Sequence, residues 1–311
     1  MSLASQSSEI KKLAIEAGFD ACGIAKAGTL TKDSLHLETW LAARYNAGMQ
    51  YMENHFEKRI DPTKLAEGAK SVIVVLLNYF PKSYPFENKK LKIARYALGT
   101  DYHFVMKEML NNLLITINEK VCKTEGRAFV DSAPVMERAW AREAGLGWIG
   151  KNSLLLNKDL GSYFFIGELI VDIELEYDKP IEDHCGACRK CLDACPTRAI
   201  VSPKVINSNN CISYQTIENK GEIPSDIGRN MNGRIFGCDI CQEVCPWNSK
   251  AKQHNISKLT PSSELSKLSD IDFQNMDELQ FKKIFKNSAV KRAGYSGLKR
   301  NIASNIAYIS S

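Results

Sequence analysis

Residues 185–196 read CGACRKCLDACP and residues 237–246 read GCDICQEVCP, and these two stretches decide how the chain is built. The first spaces its thiols as Cys185-x2-Cys188-x2-Cys191-x3-Cys195-Pro196. In such a run three close thiolates hold one iron–sulfur cubane and the fourth crosses to a second. The second run, Cys238-x2-Cys241-x3-Cys245-Pro246, lacks a leading cysteine, and Cys211 is the nearby residue that can replace it. The spacing therefore predicts one [4Fe–4S] cluster on Cys185, Cys188, Cys191 and Cys245, and another on Cys195, Cys211, Cys238 and Cys241. A cubane needs four soft thiolates, and the proline after each crossing cysteine turns the chain away from the metal. A zinc ribbon would show two C-x2-C pairs rather than a three-cysteine run ending in Cys-Pro. A disulfide framework belongs to secreted chains.

The length of 311 residues suggests about two domains. A hydrophobic content of 44% and a charged content of 25% leave room for a full globular core beside the cysteine module. The start, MSLASQSSEI, has no apolar signal-peptide core. The longest strongly apolar stretch, Val72 to Leu77, is far too short to cross a bilayer. With free thiols and oxygen-sensitive clusters, this predicts a cytoplasmic protein without a membrane partner. The other two cysteines, Cys22 and Cys122, read as buried small hydrophobes.

The net charge of +5 is mild, but its distribution is uneven. From Lys282 to Arg300 the chain carries seven basic residues, among them Lys291, Arg292, Lys299 and Arg300, and no Asp or Glu. Such a run is either a solvated helix face or a phosphate-contacting surface.

Apolar spacing predicts helices over 9–17, 34–53, 103–120 and 135–144. Strands are expected at 19–25, at the continuous apolar run 71–77, and at 127–130. Residues 163–174 read as strand followed by strand, with Gly167 a possible bulge. The overall class is α+β: an N-terminal α/β domain over 1–176, a ferredoxin-like double-cluster module over 177–250, and a basic helical segment over 251–311. That last segment is expected to bury Phe281, Ile284, Phe285, Leu298, Ile302 and Ile306.

Two clusters carry single electrons and do no bond chemistry, so something else must be reduced. No Walker A loop, no G-x-G-x-x-G after a strand and no H-E-x-x-H is present. The peculiar stretch is VDSAPVMERAWAREAGLGWIGKN, residues 130–152. Asp131 reads equally as a helix N-cap and as a ligand-site residue. Arg138 and Arg142 would share a helix face. Gly145, Gly147 and Gly150 would let the backbone approach a bulky planar group, on which Trp148 could stack.

That stretch, followed by CGACRKCLDACPTRAI, CISYQTIE and GCDICQEVCPWN, closely resembles the epoxyqueuosine reductase family. The resemblance runs from Arg59-x-Asp61-Pro62 to Gly297-Leu298-Lys299-Arg300-Asn301. It implies a cytoplasmic, cobalamin-binding enzyme with two [4Fe–4S] clusters, related to reductive dehalogenases. The activity implied is the last step of queuosine synthesis, removal of the epoxide oxygen at the wobble base of tRNA. The N-terminal domain would then hold the cobalamin, which an external low-potential donor reduces through the clusters. Asp131 corresponds to the family's proposed proton donor. Burial beside the corrin would raise its pKa, and Arg138 is expected to point elsewhere. Arg59, Asp131, Ser213 and Asp239 are the implied cofactor contacts, with Arg59 alternatively a surface partner of Asp61 and Ser213 a turn residue. Phosphate contacts are sought at Lys291, Arg292, Lys299 and Arg300. Tyr102 and His103 are possible neighbours of the cobalt, although a histidine there also suits a helix start. The family often continues into longer HEAT-like helices, whereas this sequence stops at Ser311. A monomer suffices for the chemistry.

Two rivals share some of these features. A dehalogenase-like reductase of a small organic molecule would use both cofactors but usually carries an export signal. An electron-transfer subunit would explain the clusters and leave the N-terminal domain without a purpose.

Overall fold

The computed structural model describes residues 1–309. Its central sheet contains β1 (Ala21–Lys26), β2 (Ser71–Asn78), β3 (Gly126–Phe129) and β4 (Phe164–Val171), in the spatial order β1-β2-β4-β3. Every neighbouring pair is antiparallel. The mixed α+β class holds, but the α/β expectation for the N-terminal part does not. Alternation of helices and strands reports what the connections contain, not the direction in which they return the chain.

β2 is buried along its whole length, as its unbroken apolar run requires. Ile73, Val75 and Leu77 face a layer that includes α1 (Leu3–Glu16) and α2 (Tyr102–Lys120), through Ile10, Leu13, Met106 and Leu110. Val72, Val74 and Leu76 face a second layer with α3 (Glu137–Glu143), through Ala139, Trp140 and Ala141. Each aliphatic side chain buried there contributes about 1.5–3 kcal/mol.

Residues 163–174 hold one strand, Phe164–Val171, rather than two, and Gly167 lies in regular register opposite Val75. A side chain at Gly167 would collide with Met106 and Leu110, so the glycine admits α2 rather than making a bulge. The helix expected over 34–53 covers only Thr31–Ala42. Arg44 and Ala47 take positive φ beyond it. Trp40 Nε1 donates to the Ile206 carbonyl at 2.6 Å, and the Tyr45 carbonyl accepts from Ser208 N at 2.9 Å. The chain leaves the helix where it grips the cysteine region.

The three parts of the chain are knitted together. Strand Arg234–Phe236, next to the second cysteine run, pairs in parallel with Lys92–Ile93. The C-terminal helix α4 (Gly294–Ile309) lies against it: Asn301 Nδ2 donates to the carbonyls of Thr216 and Ile235, both at 2.8 Å. Phe281, Phe285, Leu298 and Ile302 join Phe86, Ile93 and Phe236 in one apolar cluster, with Ile284 and Ile306 half-buried beside it. No helix among the described residues is long and apolar enough to cross a membrane.

Candidate thiol basins and carboxylate groove

The seven cysteines of the two runs, and Cys211 between them, are free thiols of intermediate exposure. Electrostatics sorts them into two sets that cut across the runs. Burial pushes the Cys191 thiol up, followed by Cys245, Cys185 and Cys188. Cys245 rises through burial, then through Cys185 and Cys188. Burial pushes Cys241 well up, and Cys238, Cys211 and Cys195 add to it. Cys238 is pushed up to about 12, mainly by burial, with Cys211 contributing.

Backbone N–H groups aimed at sulfur oppose this desolvation. Ala199 N donates to Cys195 Sγ at 3.3 Å. Ser213 and Tyr214 serve Cys211 in the same way, Ile240 serves Cys238, and Trp247 and Asn248 serve Cys245. Such donors stabilise the thiolate and tune a bound cluster. Four thiols per set, each set with N–H donors, fit two cubanes. No three His, Cys, Asp or Glu side chains among the described residues converge on a single ion position. A cubane offers a separate iron corner to each thiolate, which spreads its ligands.

The stretch 145–152 serves these basins. Lys151 Nζ donates to the carbonyls of Gly186 (2.6 Å) and Cys188 (2.9 Å), inside the first run. Trp148 is buried and stacks edge-on against Trp247 (4.9 Å) and His184 (5.1 Å), which flank the thiols. It is thus packed into the protein rather than against a planar ligand. The glycines are likewise consumed internally: a side chain at Gly147 would strike the Leu156 carbonyl, and one at Gly145 the Lys179 carbonyl. Nothing in the cysteine pattern announced this docking role.

The second half of the site, the carboxylate groove, is a partly exposed cluster of carboxyl and phenol groups around Asp131. Asp131 is not an N-cap; α3 begins at Glu137 after Met136. Its backbone is instead held at φ +50°, a left-handed conformation costly for a side-chain-bearing residue. Its carboxyl group is 60% exposed and accepts from the Tyr102 hydroxyl, with His103 Nε2 at 3.9 Å. Tyr102 is buried and stacked on Phe165 at 4.2 Å, so its hydroxyl is a fixed donor. His103 also serves the helix start, its Nδ1 lying 2.6 Å from Asp101 Oδ1, the N-cap of α2. Glu137 Oε1 accepts the Asp131 backbone N–H. Arg138 turns to the Ser153 carbonyl, as expected.

Arg59 does not pair with Asp61, whose carboxylate is taken by Thr29 and Thr63. It is buried, donates to the Tyr51 carbonyl at 2.6 Å, and leaves Nε without a partner. It makes no ion pair among the described residues, and burial lowers its pKa. A buried guanidinium in that condition suits a polar or anionic group that docks beside it. Tyr51 remains 44% exposed; partial desolvation, then Glu218 and Asp131, push its phenol up, with Arg292 and Arg59 opposing. Residues from four segments therefore lie within electrostatic reach of Asp131; Tyr102 and His103 were candidates from the sequence, whereas Tyr51 and Glu137 were not.

Asp239 is buried beside the thiols, and its Oδ2 accepts from Arg95 N (2.8 Å) and from the Arg95 guanidinium (3.3 Å). Ser213 contributes its backbone N–H to Cys211. Of the four basic residues, Arg292 pairs with Glu218, and Lys299 donates to the Gln274 carbonyl at 2.5 Å. Arg300 donates to the carbonyls of Gln215, Asn219 and Gly221. Lys291 is exposed. A cavity of about 240 Å³ lies elsewhere, lined by Lys82, Ser83, His254 and Asn255, and none of the site residues borders it.

Comparison with known proteins places the eight thiols, and Arg59, Tyr102 and Asp131, in matched regions. Residues 184–248 match the family model for a 4Fe-4S double cluster binding domain, and residues 59–132 the model described as epoxyqueuosine reductase QueG, DUF1730. An epoxyqueuosine reductase of Cellulophaga algicola is 51% identical over 94% of this chain and 95% of its own length. The epoxyqueuosine reductase of Escherichia coli K12 is 41% identical over 95% of this chain and 79% of its own. A crystal structure of an epoxyqueuosine reductase with an epoxyqueuosine-modified tRNA-Tyr stem loop superposes with a TM-score of 0.89, at 32% identity, over 99% of this chain and 82% of that one.

Proposed function

The chain belongs to the epoxyqueuosine reductase family, and on that premise we propose how its groove and thiol basins act. The reaction is reduction of epoxyqueuosine to queuosine in tRNA. Cys185, Cys188, Cys191 and Cys245 bind one [4Fe–4S] cluster, and Cys195, Cys211, Cys238 and Cys241 the other. Arg59 and Asp131 would hold cobalamin in the groove. When bound, these groups supply single electrons and a strongly reducing cobalt for C–O cleavage. An external low-potential donor provides the electrons.

The residues of the chain orient the substrate and handle the proton. Tyr102 holds the Asp131 carboxyl toward the groove, and the left-handed turn keeps it there when substrate enters. Asp131 donates a proton to the epoxide oxygen as the C–O bond opens. Arg59 offers its unpartnered Nε to a polar group of the cofactor. Asp239 and Ser213 act on the thiol side, Asp239 by tying Arg95 to the second cysteine run and Ser213 by its N–H to Cys211. Lys291 is the first candidate for phosphate contact, because Arg292 is paired with Glu218 while Lys299 and Arg300 spend donors on carbonyls of the fold. Phosphate contacts position the tRNA; recognition of the anticodon falls to groups lining the groove. We place the enzyme in the cytoplasm as a monomer.

The observation that carries this reading is Asp131: a strained, groove-facing carboxyl held by a buried phenol. The test is an anaerobic single-turnover assay of the reconstituted protein with epoxyqueuosine-containing tRNA, read by mass spectrometry of nucleosides. Queuosine formed by the wild type and lost in Asp131→Asn is expected. Product from both moves the donor elsewhere. No product from protein with intact clusters and bound cobalamin removes the substrate assignment and favours a small-molecule reductase.

A further inference from the structure

Reduction of an epoxide to an alkene breaks two C–O bonds, forms the second bond of C=C and releases the oxygen as water. It consumes two electrons and two protons. The external donor supplies the electrons through the clusters, and Asp131 supplies one proton. The groove holds a second acid in position. Glu137 Oε1 is tied to the Asp131 backbone N–H, while its other oxygen meets no hydrogen-bond or ion-pair partner among the described residues. Behind it, Glu168 projects from β4 into the layer that contains α3. Glu168 is fully buried, and both its oxygens lack a partner, as does the nearby-layer indole N–H of Trp140. A buried carboxylate without a hydrogen bond is too costly to keep charged, so this side of the groove favours neutral acids.

The charged groups around Glu137 are Asp131, Arg138 and Arg59; those around Glu168 are Glu137 and Asp131. Burial and then the Asp131 charge push Glu137 up to about 8, against the opposing pull of the Asp131 N–H and the two arginines. Burial, then Glu137 and Asp131, hold Glu168 well above the ordinary carboxyl range.

We propose that Glu137 is the second acid of the site: Asp131 protonates the oxygen as the first C–O bond breaks, and Glu137 supplies the proton with which that oxygen leaves as water. Both carboxylates regain protons from solvent before the next turnover. This rests on the substrate reading given above. The variant to make is Glu137→Gln, which keeps an acceptor for the Asp131 N–H and removes the proton.

Two measurements test it. Infrared titration of the protein without substrate should show a protonated-carboxyl band that disappears with a midpoint near pH 8 and is missing in Glu137→Gln. In anaerobic single-turnover assays, the wild-type rate should fall above about pH 8, because the protonated form is the competent one. Glu137→Gln should be at least about 10-fold slower at neutral pH and lose that alkaline midpoint. Glu137→Asp should recover most of the rate with a displaced midpoint, and it carries the test if the glutamine variant fails to fold. A Glu137→Gln protein with wild-type rate and pH profile, or a band titrating near pH 8 that survives the substitution, overturns the proposal; a band from Glu168 alone does not bear on it. A wild type that makes no queuosine at any pH overturns the substrate reading instead.

Discussion

The thiol basins and the carboxylate groove both bury ionisable groups, yet they treat them in opposite ways. Around the cysteines, backbone N–H groups converge on sulfur: Ala199 on Cys195, Ser213 and Tyr214 on Cys211, Ile240 on Cys238. Around Glu137 and Glu168, donors are withheld: Glu168 has none and Glu137 has the single Asp131 N–H, whereas the exposed Asp131 carboxyl accepts from the Tyr102 hydroxyl. The difference follows from the charge each group carries when it works. A metal-bound thiolate is anionic and needs donors to offset its desolvation. A proton-donating carboxyl must stay neutral, and a donor-poor wall keeps it so. The same contrast divides the arginines, with Arg300 bonded to three carbonyls and Arg59 left with an unpartnered Nε.

The most severe way to break the comparison is to remove a thiolate. Cys241→Ser should lose one cluster, lowering iron from about eight to about four atoms per chain, and abolish turnover. Iron and sulfide assays of the reconstituted protein check this, and unchanged iron would dissolve the proposed ligand sets. Asp131→Asn should leave the iron content intact while cutting single-turnover product formation by roughly 10²–10⁴-fold. Equal losses of iron and activity would mean that the two halves of the site are not separable.

Glu168→Gln sharpens the carboxyl side. The raised pKa means that the folded chain keeps a proton that the unfolded chain gives up above the ordinary carboxyl range. Stability is therefore full below the unfolded pKa and declines as pH rises toward the folded one, by about 1.4 kcal/mol per pH unit from this group. Urea unfolding measured as pH rises from about pH 5 should show a shallower loss of stability in the variant. The mildest test compares the arginines. Arg300→Met should destabilise by about 2 kcal/mol, because its charged hydrogen bonds join α4 to segment 215–221. Arg59→Met should change stability by less than about 1 kcal/mol, since it removes a desolvated charge, and should weaken cobalamin binding. Equal destabilisation by both would show that Arg59 is structural.

Much of the thiol half was legible because metal ligands are written as local spacing. The residues 71–77 were readable as a buried strand for a similar reason: an unbroken apolar run leaves no solvent face. The carboxylate half was not legible. Glu168 is a lone charge in the apolar run FFIGELIV that the sequence did not single out, and the layer containing α3 packs over its face. Asp131 read equally well as a cap until the left-handed turn at φ +50° separated it from α3. Gly147 and Trp148 read as a ligand platform, but tertiary packing spends them on Leu156, Trp247 and His184.

By itself, then, the sequence determined which atoms can bind metal and which segments must be buried, because both depend on neighbours close along the chain. The tertiary structure alone decided which acids face one groove, which of them lack donors, and which cations are already committed to the fold. Desolvation and charge pairing depend on groups brought together from distant segments, and no local pattern encodes them.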